Sequence, residues 1–121
     1  MSQPNPPPLF FEWAAGVVDI TRDYDATHEY LILLGIGNLP ESGSKAELIE
    51  LRDIFIALAS GRYEDEQLMR LWRRTRARAY PRRSNEFFKT AINVVDDYLS
   101  SDGKSAEQFW IREEGKVQRN L

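Results

Sequence analysis

The chain has 121 residues, 42% of them hydrophobic and 29% charged, with a formal net charge of −3. That length suits a single domain with a sizeable core, and the acidic balance argues against a surface built as a whole for nucleic acid. With no cysteine in the chain, a disulfide framework, a thiolate metal site and a cysteine nucleophile are excluded, and a cytoplasmic home is compatible with that.

The opening Met-Ser-Gln-Pro-Asn-Pro-Pro-Pro has neither a basic region nor an apolar core, so it does not read as a secretory signal. Four prolines in those eight residues predict an extended, disordered lead. A single helical domain is expected over residues 9–121. The longest apolar runs, residues 30–34 and 54–59, are far too short to span a membrane.

From Leu9 to Thr21, the residues Phe10, Trp13, Ala14, Val17 and Val18 recur at helical spacing. The β-branched Val17, Val18 and Ile20 leave a strand as the alternative. Asp25 is placed to cap a short second helix holding Tyr30, Leu31, Leu33 and Leu34. That helix is expected to end at Gly35, where Gly-Ile-Gly-Asn-Leu-Pro gathers turn residues. After a linker over 41–43, Ser44 and Glu47 form a capping-box pattern. The helix they open runs to about Ser60, with Leu48, Leu51, Phe55, Leu58 and Ala59 inward and Gly61 as a left-handed terminator.

Residues 64–83 are the most distinctive stretch. Seven are arginine: Arg70, Arg73, Arg74, Arg76, Arg78, Arg82 and Arg83. At roughly 100° per residue, Leu68, Leu71, Trp72, Thr75 and Ala79 make one mostly apolar stripe, with the arginines fanned over the rest. Acidic residues lead and basic ones end, the order the helix macrodipole favours. The spacing predicts one helix stopped by Pro81 and forming an antiparallel hairpin with the helix before it. Ser84 is then placed to cap a helix with a wide apolar face: Phe87, Phe88, Ala91, Ile92, Val95, Tyr98 and Leu99. Ser100-Ser101-Asp102-Gly103 ends it. Ser105 and Glu107 sit in a second capping-box match that opens a last helix with Phe109 and Trp110, and beyond Gly115 the polar tail is expected to fray. The fold class is all-α, an irregular bundle of five or six helices.

Several constellations invite chemistry. Arg70, Arg73, Arg74, Arg78, Arg82 and Arg83 could grip phosphates while Tyr80 or Trp72 stacks a base. Against this stand the acidic balance, the leading Glu64, Asp65 and Glu66, and the place of Trp72 on the apolar stripe. Asp96 and Asp97 lie near the end of a helix, where carboxylates are unfavourable without a cation or a partner. Asp96 flanks the apolar face and Asp97 points away from it. Exposed carboxylates there could mimic nucleic-acid phosphates and enter a basic cleft. His28, the sole histidine, cannot build a zinc site alone. It could pair with Asp25 or Glu29, but no nucleophile stands at catalytic spacing from it. Gly35-Ile36-Gly37 lacks the third glycine of a dinucleotide fingerprint. The pattern offers no catalytic residue, metal site or cofactor.

An apolar helix ending Ile-Phe-Ile-Ala-Leu-Ala-Ser-Gly at Gly61 is followed by a tight turn into Asp65-Glu66-Gln67-Leu68-Met69-Arg70-Leu71-Trp72. A basic end at Arg76-Ala77-Arg78-Ala79-Tyr80 comes next, then Asn85-Glu86-Phe87-Phe88 running to Val94-Val95-Asp96-Asp97-Tyr98. In this order of features residues 47–121 resemble the immunity proteins of the colicin D type and related contact-dependent toxin systems. The resemblance implies a small, helical, cytoplasmic bacterial protein that blocks a nuclease toxin, often a tRNA-cleaving one, with acidic side chains. It maps that acidic stretch onto Glu86, Asp96, Asp97 and Asp102, while residues 1–44 have no counterpart. The expected function is therefore non-enzymatic toxin neutralisation through a protein partner, with no membrane involved. A nucleic-acid-associated regulator working through the arginine helix is the alternative, and an oligomeric adaptor held by the apolar N-terminal half is a third reading.

Overall fold

The helix over residues 84–100 lies at the centre of the fold, because four of the other helices pack against it. The computed structural model describes residues 4–17, 27–40, 43–77, 81 and 83–119, with side chains to Glu113. Six helices run through them: α1 Pro8–Ala15, α2 His28–Gly37, α3 Lys45–Leu58, α4 Asp65–Arg73, α5 Ser84–Ser100 and α6 Lys104–Arg119. The chain is an all-α bundle, as its pattern predicts. α5 buries Phe87, Phe88, Ala91, Val94 and Val95, and α2, α3, α4 and α6 all pack on it. α1 closes the bundle against α2 and α3.

The core is aromatic. Trp13, Trp72, Phe10, Phe55, Phe87 and Phe88 are all inaccessible or nearly so, so Trp72 is core, as its place on the stripe implies. Trp13 meets Phe55 at 4.8 Å and Trp72 at 5.5 Å between ring centroids, both edge to face, the arrangement ring quadrupoles favour. The indole N–H of Trp13 donates to the carbonyl of Ile32 at 3.2 Å.

Several boundaries differ from expectation, some because a contact from elsewhere in the fold replaces a local signal. α1 stops at Ala15, short of Thr21, and α2 starts from Thr27, whose hydroxyl accepts from the Tyr30 amide at 3.2 Å; Asp25 lies outside the described residues. α2 runs through Gly35 to Gly37. A β-carbon on Gly35 would stand 2.6 Å from Trp13 Nε1 and 2.8 Å from the Trp13 carbonyl oxygen, so this glycine permits a close helix crossing and does not end the helix. Asn38 closes both helices, its Nδ2 donating to the carbonyls of Gly16 at 2.9 Å and Leu34 at 3.0 Å.

α3 keeps its capping box, with Ser44 Oγ accepting from the Glu47 amide and Glu47 Oε1 from the Ser44 amide, and Gly61 takes the left-handed conformation at φ 91°. α4, however, ends at Arg73, well before Pro81. Thr75 supplies the stop: its hydroxyl donates to the Trp72 carbonyl at 2.6 Å and accepts from the Ala77 amide at 3.2 Å, competing with the helix for both groups. α4 packs chiefly on α5, in place of the close hairpin with α3 that the short connection suggests.

Ser84 is the first residue of α5 and not its cap; Asp65 of α4 caps the helix, its Oδ1 accepting from the Asn85 amide at 2.8 Å. Ser105 is likewise inside α6, and Ser101 Oγ accepts its amide at 2.9 Å. α6 remains helical past Gly115 to Arg119.

Candidate functional site

The four acidic residues singled out from the sequence fall at two ends of α5. Glu86 sits in the first turn, exposed, with Arg83 at 3.5 Å. Asp96 and Asp97 lie ten and eleven residues on, about 15 Å along the axis at 1.5 Å per residue. Glu86, Asn93 and Asp97 nonetheless share one exposed ridge, since eleven residues at about 100° each return to within ~20° of the same direction. Asp96 stands to the side of that ridge facing α3, where it binds the guanidinium of Arg52. The hydrogen bond and charge of Asp96 raise the Arg52 guanidinium above its ordinary value. The expected compensating cation therefore exists, but it comes from α3 and not from the arginine-rich stretch.

Asp102 occupies the turn into α6. Its φ of 55° is left-handed, and Gly103 follows at 84°; two such residues in succession reverse the chain and leave the Asp102 carboxylate exposed. An aspartate held in this region costs on the order of 1 kcal/mol relative to glycine. Beside it lies a small polar hollow of about 220 Å³ bordered by Lys45, Leu48 and Tyr98.

The arginines do not form one face. Arg70 is bonded to Glu66 at 2.8 Å, Arg83 is committed to Glu86, and the Arg74 guanidinium sits 5.8 Å from the centre of the Phe11 ring. Arg73 and Arg76 are exposed, on the last helical residue and in the coil beyond. Arg78, Arg82 and Tyr80 lie outside the described residues.

No family model, curated protein or solved structure matches this chain. Its chemistry has to be read from its own surface.

His28 opens α2 with its ring edge-on to Phe87 at 5.3 Å. Burial lowers its pKa below the ordinary 6.5, and the charge of Glu86 works in the opposite direction. Among the described residues the carboxylate that acts on His28 is thus Glu86, from α5, and not the adjacent Glu29; Asp25 lies outside them.

Two apolar features escape a reading by periodicity. Phe109 is buried and Trp110 packs at 4.9 Å on Tyr30, so neither serves as a free apolar anchor; the neighbouring Ile111 is 69% exposed. On α3, Ile49 and Ile56 are also exposed, at 44% and 40%. The available signal was that α3 carries more large apolar residues than one helix face can bury. Among the described residues no group of three or more potential ligands could hold a metal ion, and no helix is long and apolar enough to cross a membrane.

Proposed function

We propose that this chain is a non-enzymatic protein-binding protein that neutralises a nuclease toxin by presenting carboxylates to its basic cleft. The observation that carries the reading is the exposed acidic ridge of α5, Glu86 and Asp97, together with the separate exposed carboxylate of Asp102 in the turn beyond the helix. Carboxylates held on a rigid helix, with no structural task for the Asp97 side chain in the described contacts, suit electrostatic recognition of a cationic partner. The resemblance to colicin D-type immunity proteins supports the same reading. The nucleic-acid alternative draws less support, because Arg70, Arg74 and Arg83 are already engaged within the fold.

The test is affinity capture with the tagged protein from its native lysate, with and without nuclease treatment, followed by the Asp97→Asn/Asp102→Asn variant. A nuclease-resistant protein partner whose toxicity the wild type suppresses, and the variant suppresses less while keeping its helical circular dichroism, is the expected result. Recovery that disappears on nuclease treatment would transfer the function to the arginines.

A further inference from the structure

We propose that the groove between residues 4–7 and α3 receives a single arginine or lysine side chain from a partner protein. The inference stands whether or not that partner is a nuclease. The groove encloses about 340 Å³, at the low end of the ~300–1,000 Å³ of ligand pockets and suited to one long side chain. Its walls are apolar, with Pro4, Ile54 and Leu58 buried at its base and Tyr63 half-buried beside them. Glu50 and Asp53 also line it, both exposed and neither in an ion pair among the described residues. An aliphatic stem fits the walls, and a cationic head meets two carboxylates and an aromatic ring.

The surroundings select a protein as the source. Ile49, Asp53 and Ile56 follow one another at i, i+4 and i+7 along α3, so a carboxylate of the groove sits between two exposed isoleucines. A free small cation has no use for that apolar border; a side chain carried on a partner surface covers it.

The probe is acetyl-Leu-Ala-Arg-Ala-Leu-amide, titrated to millimolar concentration against the full chain with amide NMR as the readout. Its citrulline counterpart and butylguanidinium are run beside it. Saturable shifts at Ala57, Leu58 and Tyr63 are expected with the arginine peptide. Glu50→Gln/Asp53→Asn should weaken binding by at least about tenfold, and Ala57→Phe should block it by filling the groove with the carboxylates intact. Asp97→Asn should leave it unchanged, which separates this site from the ridge of α5. Equal binding of the citrulline peptide, tighter binding of butylguanidinium, or no shift at these residues would each overturn the proposal.

Discussion

Gly35→Ala is the most demanding test of how α1 and α2 meet. The added β-carbon would approach Trp13 Nε1, Cδ1 and the Trp13 carbonyl oxygen at 2.6, 2.9 and 2.8 Å. None of these can step aside cheaply: the indole is inaccessible and wedged among Phe10, Phe55, Trp72 and Phe87, and the oxygen is backbone. Overpacking of this kind costs about 1–3 kcal/mol, and displacing the indole also threatens its bond to Ile32, worth about another 1 kcal/mol. Against that, alanine is favoured over glycine within a helix by about 1 kcal/mol. The net expectation is a loss of about 2 kcal/mol, or roughly 8 °C in Tm for a chain of this length. Gly37, two residues on, has nothing within 4 Å of its β-carbon position; Gly37→Ala should be neutral or raise stability by up to about 1 kcal/mol. Thermal melts followed by near-ultraviolet circular dichroism read both. Shifts of the same sign, or a neutral Gly35→Ala, would refute the close crossing.

Ser84 Oγ is buried with no hydrogen-bond partner among the described residues, so Ser84→Ala should be neutral or stabilising by up to about 1 kcal/mol, where loss of a true N-cap would cost about that much; urea midpoints decide. His28 has a folded pKa below its ordinary 6.5, so the unfolded chain takes up the proton first and stability falls as pH drops below 6.5. His28→Gln should flatten the urea midpoint between pH 7 and 5.5, and Glu86→Gln should lower the His28 pKa further in an NMR titration. Asp102→Gly should stabilise the fold by about 0.5–1 kcal/mol by relieving the left-handed φ, while weakening partner binding under the proposed function; a loss of stability would count against that account of the turn.

The core was legible because burial writes a period into the sequence. Phe87, Phe88, Ala91 and Val95 recur at helical spacing and end up inside α5, and the local capping box at Ser44 survives intact. What could not be read locally is what another element supplies. Asp65 caps α5 across twenty residues of sequence, Asn38 ties off α1 as well as its own helix, and Gly35 looks like a stop until Trp13 is seen against it. The arginine-rich stretch misled because its stripe continues through Thr75, whose hydroxyl turns the chain. The acidic residues were legible as residues, but neither the Arg52 partner of Asp96 nor the groove beside α3 has any signature in spacing.

Around α3, at about 100° per residue, Arg52 faces α5, the exposed Ile56 and Ile49 follow within ~60°, then Asp53, and finally Ala57 and Glu50 at the proline-lined groove. The Arg52–Asp96 pair and the groove therefore lie on one side of α3, with the two isoleucines and Asp53 between them. Arg52 is a cation at the edge of that side, and its removal tests whether the groove acts by charge. Arg52→Gln leaves Asp96 half exposed and uncompensated and makes the field over the groove more negative. The arginine peptide should then bind several-fold more tightly at low salt, and the gain should fade as the Debye length shrinks from ~30 Å at 0.01 M to ~8 Å at 0.15 M. An affinity unmoved by Arg52→Gln at low salt would mean that the groove selects its occupant by shape alone.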